Sequence, residues 1–327
     1  MRSALLLLSL CGCTLVLVDE PCPVPMPQDT ADTGTPDDTG TPGDTGTPDD
    51  TGTPDDTGDT GEPVSGLVVA VAAGGMHSCA ITEESAVTCW GADDQGQASP
   101  PALDAVSLTA GFAHTCALDA EGQAHCWGAN DAGQSSPPTE VFSEIHAGGR
   151  HTCGLTDAGT ISCWGSNSAG QAEDPGGPWL AISAGWAHTC GIDTENRVSC
   201  WGNGMDALES PEVPASQITS GQGFACMLPA AEESVPVCWG LDTAGETSPP
   251  AITFIEISAG MAHACGTEAG GDVRCWGDSA AGQLEVPDVK GHGLSSSSSA
   301  MHSCVVEGDD AGLPVCWGLN SSGQSSP

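Results

Sequence analysis

The sequence predicts an all-β protein, a closed seven-bladed β-propeller with one disulfide in each blade. Three observations predict it. A cysteine-rich unit recurs seven times over residues 66–327. Each copy reads as short strands between turn residues, with no helical stripe. Within each copy the two cysteines stand an even number of positions apart, as opposed residues of a hairpin do.

The totals frame that reading. The chain has 327 residues, with 45 Gly and 24 Pro, so turns are frequent. Five Lys and Arg face 44 Asp and Glu, a formal charge of -39. Such a surface repels nucleic acid and anionic membrane faces and attracts cations only diffusely. Seventeen cysteines imply either an oxidising compartment or metal binding.

The first residues read as targeting. Met1-Arg2-Ser3 is a short positive start, and Ala4 to Leu10 is mostly apolar. With Leu10-Cys11-Gly12-Cys13 the stretch resembles a bacterial lipoprotein signal over residues 1–12, leaving Cys13 as the lipidated N-terminus. This implies a bacterial cell-envelope protein, on the outer membrane or the cell surface, that meets a membrane through a lipid anchor only. An ordinary signal peptide and secretion are the alternative.

Residues 13–65 read as a disordered acidic tether. From Thr33 the unit T-G-T-P-D-D repeats with period six until Thr57, with Gly43 once replacing Asp. No position carries a large apolar side chain, so nothing offsets the entropy of ordering. Asp37-Asp38, Asp49-Asp50 and Asp55-Asp56 permit weak calcium association, without the geometry of a dedicated site. No other cofactor is expected. Cys22 lies in this stretch without an obvious partner.

In the repeats, the first cysteines are Cys79, Cys116, Cys153, Cys190, Cys226, Cys265 and Cys304. The second are Cys89, Cys126, Cys163, Cys200, Cys238, Cys275 and Cys316, each followed by Trp-Gly. The second copy shows the expected elements. A strand over Ala105 to Leu108 runs into Ala110-Gly111, and a second covers His114 to Leu118. Asp119 to Gly122 turn the chain, and a third strand covers Gln123 to Trp127. A short fourth strand is expected after Gly133-Gln134, before Pro137-Pro138.

Five copies separate their cysteines by ten positions, and the fifth and seventh by twelve. The even increase keeps both cysteines on one sheet face, so disulfides are expected. Zinc is the competing use. No C-x2-C pair exists in the repeats, and the recurrent His with the two Cys of its copy would still need a fourth ligand. The recurrent Trp is expected between blades, with ligand stacking as its alternative. The histidines His77, His114, His151, His188, His263 and His302 recur too, with Phe224 in the fifth copy. They are expected to be partly buried supports, with a cation-binding ring as the alternative.

The pattern A-G-x-x-H-x-C-A-L-x-x-x-G-x-x-x-C-W-G-x-N-x-x-G-Q resembles the repeat of the regulator of chromosome condensation family, which forms seven-bladed β-propellers. The second copy carries it as Gly111, His114, Trp127-Gly128 and Gly133-Gln134, with matching Gln97, Gln171, Gln283 and Gln324. The fourth copy departs at Gly204 to Leu208, the fifth at Gly245-Glu246, and the seventh at Ser298-Ser299. Those blades are expected to be less regular. The paired cysteines depart from intracellular members and look like an adaptation of exported bacterial relatives. The resemblance implies nucleotide exchange on a nuclear GTPase and chromatin contact. Export and acidity speak against both.

Function is sought where the copies differ. The residue after Ala-Gly is Gly75, Phe112, Gly149, Trp186, Gln222, Met261 and Ala300 in turn. If these ring one end, then Phe112, Trp186 and Met261 are ligand-binding candidates, with the cation Arg150 beside them. Filling uneven gaps between blades is the alternative. Trp179, in a Pro-Gly-rich stretch, is a further candidate anchor. There is no G-x-S-x-G elbow, no H-E-x-x-H and no phosphate loop, and Ser297 to Ser299 are nucleophiles by composition only. The reading is a tethered propeller binding a protein or glycan. A structural surface component comes second, and a lyase or hydrolase with scattered residues third.

Overall fold

A computed structural model describes residues 66–203, 210–231, 234–308 and 311–327. The expectations for the signal, Cys13, the tether, its calcium-binding pairs, Cys22 and Gly204 to Leu208 lie outside these residues. The described chain forms seven antiparallel sheets of three strands each, in sequence order. In blade 2 the inner, middle and outer strands are Ser107–Ala110, His114–Leu118 and Ala124–Gly128. The fourth strand expected after Gly133-Gln134 does not form. That stretch is a turn, and its backbone has a different use, described below.

The seven disulfides form inside blades, Cys79–Cys89 through Cys304–Cys316. Each joins directly opposed residues of the middle and outer strands, as Cys116 and Cys126 do. The longer hairpins keep that opposition, Cys226 with Cys238 and Cys304 with Cys316. Their Cα atoms lie 4.0–4.1 Å apart, the close spacing of facing positions on antiparallel strands. The seventh blade is irregular as expected. Its inner strand slips between His292 and Ser295, and the hydroxyls of Ser298 and Ser299 are buried without a partner among the described residues.

Cores are filled by paired choices within each blade. In blades 3, 4 and 6 the residue after the first cysteine is Gly154, Gly191 or Gly266. A Cβ there would strike Phe142, Trp179 or Phe254 at 2.4–2.6 Å. Trp179 starts its inner strand, Phe142 and Phe254 lie two residues before theirs, and each fills the space its glycine leaves. Blade 2 reverses the choice with Ala105 and Ala117. Blade 7 sets Gly291 against Val305. Trp179 is therefore not an exposed anchor. It is 6% exposed, and its ring lies 5.5 Å from that of Trp201. This removes it from the candidate site, because Gly191 opens a core space that only a large ring fills.

The pairing predicts coupled energetics. Gly154→Ala is expected to cost about 1–3 kcal/mol by overpacking, and Phe142→Ala about 3–5 kcal/mol by leaving a cavity. The double variant, which copies blade 2, is expected to cost clearly less than the sum. Denaturant unfolding of the four proteins measures it, and strict additivity would refute the pairing.

Candidate functional site

The recurrent side chains build the joints between blades. Trp127 Nε1–H donates to the Gln97 carbonyl of the preceding blade at 2.9 Å, and Thr115 Oγ1 donates to the same oxygen at 3.0 Å. His77 Nε2 lies 2.8 Å from Thr115 Oγ1. Because that hydroxyl spends its proton on a carbonyl, it accepts from His77, which places the histidine's proton on Nε2. The relay His to Thr or Ser to Gln carbonyl repeats at His114–Thr152, at His151–Thr189 and at His302–Ser78. The last of these closes the ring. Ser78 and Trp90 of blade 1 both donate to the Gln324 carbonyl of blade 7. Val68 and Gly312 add a backbone bridge across the same seam.

The glycine of Ala-Gly makes this approach possible. A Cβ on Gly111 would meet the His114 ring at 2.3 Å and the Gly148 carbonyl of the next blade at 2.4 Å. All six histidines are essentially fully buried. Burial lowers His77, His188 and His263 to about 4, and His114, His151 and His302 to about 3. They are neutral packing residues, and the cation-ring alternative fails on their burial. Their burial is also deeper than the partial burial expected from sequence. Where blade 5 has Phe224 in place of His, blade 6 has Ala264 in place of Ser or Thr, so no hydroxyl loses its donor. His188 faces the same kind of change, Ala225, and its Nε2 is buried without a partner among the described residues.

The variable position after Ala-Gly does ring one end of the propeller. Backbone bonds link its members from blade to blade, as Gly149 N to Trp186 O, Gln222 N to Met261 O and Met261 N to Ala300 O. Phe112 is exposed, while Trp186 and Met261 are half-buried. Phe112 and Trp186 come from blades 2 and 4, yet their rings meet edge to face with centroids 5.3 Å apart. They meet because blade 3 has Gly149 between them, where a Cβ would press on Trp186. Met261 stands apart, with Gln222 between it and Trp186 along the ring.

A cleft of about 410 Å³ opens beside Phe112, lined also by Gln95, Asp131, Gln134, Gly149 and Arg150. Arg150 pairs with Asp131, and Gln134 Nε2 donates to the other carboxylate oxygen at 3.0 Å. The Gln134 hydrogen bond and the Arg150 charge hold Asp131 below the usual carboxylate range. Sequence reasoning missed Asp131, which reaches Arg150 only because adjacent blades abut. It also missed the central lumen, about 360 Å³, where Glu144, His146, Gln217 and Glu256 face inward from the inner strands. His146 Nε2 lies 2.7 Å from Glu144 Oε1. Burial raises the Glu256 carboxyl against the pull of the Leu294 and Gly293 amides and His292.

Residues 68–97, 105–134, 142–171 and 179–204 match the family model described as regulator of chromosome condensation (RCC1) repeat. Among solved structures, the entire ectodomain of the Physcomitrella patens receptor kinase CR4 is similar at 25% identity and a TM-score of 0.66. That likeness covers 77% of this chain and 74% of the other. The CRINKLY WD40 ectodomain of the Arabidopsis thaliana receptor kinase ACR4 is similar at 24% identity and a TM-score of 0.65, covering 78% and 98%. Yeast RCC1 (Prp20), solved bound to Kap60, is similar at 16% identity and a TM-score of 0.57, covering 79% and 81%. These likenesses correct the bacterial-envelope placement drawn from the first residues. These three similar structures are eukaryotic, and two are ectodomains. An extracellular setting fits them better, and it also fits seven disulfides, which persist in oxidising surroundings.

Proposed function

We propose, taking this RCC1-repeat β-propeller as the premise, that the chain is a protein-binding module that engages its partner at the Phe112–Trp186 end. The observation that supports this reading is the aromatic pair itself. Two partly exposed rings meet over a glycine, beside a cleft edged by an Arg–Asp pair. Exposed aromatic and arginine side chains are the types that dominate binding energy. Yeast RCC1 is a propeller of similar fold solved with a protein partner, which is in keeping with the reading. The proposal is of binding, not of catalysis.

A structural surface component without a discrete ligand is the second reading. The commitment of the histidines, most of the tryptophans and the disulfides to internal packing favours it.

The test compares capture of extracellular proteins by the full chain and by its Phe112→Ala, Trp186→Ala double variant. The variant is expected to keep its melting temperature and to bind its main partner about tenfold more weakly or worse. Competition with free oligosaccharides separates a glycan ligand from a protein one. Equal recovery of every partner by both chains would leave the structural reading standing.

A further inference from the structure

We infer that the opposite end of the ring is a second docking surface, suited to a basic segment with an apolar tip. The second residue of the inner-strand segment is Val69, Val106, Leu180 or Ile255 in blades 1, 2, 4 and 6, and each is exposed. Val106 and Ile255 are 61% and 66% exposed, although they flank buried Ala105 and Phe254. The cause lies at the start of each strand ladder. In blades 1 and 4 the register shifts across Val69 and Leu180, so the extra residue turns out of the sheet. In blades 2 and 6 the same residue precedes the ladder, with Val106 N on Leu118 O and Ile255 N on Thr267 O.

Val141 and Leu313, also more than half exposed, extend the patch. Val141 bridges to Gln123 and Leu313 follows the Gly312 bridge, so both lie at this same end. The result is a set of exposed aliphatic side chains at one end of the ring. Scattered apolar residues need no explanation, but repeated exposure at one structural position does.

Charge selects the occupant. The turns between middle and outer strands frame this end, and they carry exposed Glu84, Glu121, Asp157, Glu195 and Glu307. The cations near them are already paired: Arg197 with Asp193 and Glu195, Arg274 with Glu268 and Lys290 with Asp272. A second copy of the chain would set one acidic rim against another, and an anionic membrane would be repelled in the same way. A partner that places Lys or Arg on the rim and aliphatic side chains inside it meets both features.

The test uses the full chain and a synthetic peptide of alternating Leu and Lys, with an all-Lys peptide of equal length beside it. The variant carries Val106→Ser, Leu180→Ser and Ile255→Ser. Blades 3 and 5 already hold Ser143 and Ser216 at this place, so the fold is expected to survive. The Leu-Lys peptide is expected to bind the parent and to lose about tenfold or more in affinity for the variant. The all-Lys peptide is expected to bind more weakly and to ignore the substitutions. Phe112→Ala with Trp186→Ala is expected to leave this binding unchanged, which separates it from the site proposed above. Should the serine variant misfold, Glu121→Gln, Glu195→Gln and Glu307→Gln together are expected to weaken the Leu-Lys peptide several-fold. Undiminished binding to the folded variant would overturn the inference and move the interaction to general acidity. A dimer in sedimentation that the serine substitutions dissolve would overturn it in favour of self-association.

Discussion

Acidification from pH 7 to pH 4 is expected to cost this propeller more stability than any single substitution. In the unfolded chain a histidine titrates near pH 6.5. In the fold the six interblade histidines are held at about 3 to about 4 by burial. Between those values the unfolded state binds more protons, so stability is complete above pH 6.5 and falls as pH falls. At pH 5 the loss is about 2 kcal/mol for each histidine. Six such losses are comparable to the whole margin of an ordinary domain. Neighbours sharpen the effect, since charge on His77 or His151 further disfavours charge on His114. The depressed carboxyls of Asp119, Asp131 and Asp272 add to the loss at still lower pH.

Melting curves between pH 7.5 and pH 4 check this. His114→Phe with Thr152→Ala copies the natural Phe224–Ala264 pair and removes one titrating group. It is expected to fold and to recover about 2 kcal/mol of the acid loss at pH 5. A melting temperature that stays level down to pH 4.5 would show that the histidines are not held neutral.

Reduction is the other large effect expected. Each disulfide joins cysteines ten or twelve positions apart and contributes about 3 kcal/mol in the chain-entropy description. Aromatic residues are only 4% of the chain, so the cores are small and few contacts replace a lost cross-link. Removing one bridge, Cys116→Ala with Cys126→Ala, is expected to cost about 2–3 kcal/mol. Bridges in distant blades are expected to add independently. Full reduction is expected to unfold the ring at moderate temperature. In each bridge the outer-strand sulfur is the half-buried one, as Cys126 is, so reductant enters from the rim. Heating with and without a thiol reductant decides it, and an unchanged transition would confine the bridges to an ornamental role.

Much of this was legible along the chain. The period counted the blades, and the parity of the cysteine spacing placed each pair on one face of a hairpin. Phe112 and Trp186 were found by comparing copies, because a position that varies inside a fixed unit is released from packing. Trp179 was misread for want of one neighbour. Its burial depends on Gly191 across the sheet, and the exchange of Phe142 with Gly154, or of Gly291 with Val305, gains meaning only once those positions are known to touch. The exposed aliphatics escaped notice for a related reason. Alternation assigns Val69, Val106, Leu180 and Ile255 no special fate; a register slip turns out Val69 and Leu180, while Val106 and Ile255 stand just before their ladders.

Local structure was set within each repeat: strand, turn and cross-link all arise from residues within about a dozen positions of one another. Which side chains join blades and which are left for a partner depends on the packing of one blade against the next. That choice follows from what a neighbouring blade supplies, whether a hydroxyl for His77, a glycine gap beneath Phe112 and Trp186, or a carboxylate for Arg150. The physical reason is that burial and hydrogen-bond satisfaction belong to pairs of groups brought together in space, and a single repeat does not carry its own neighbours.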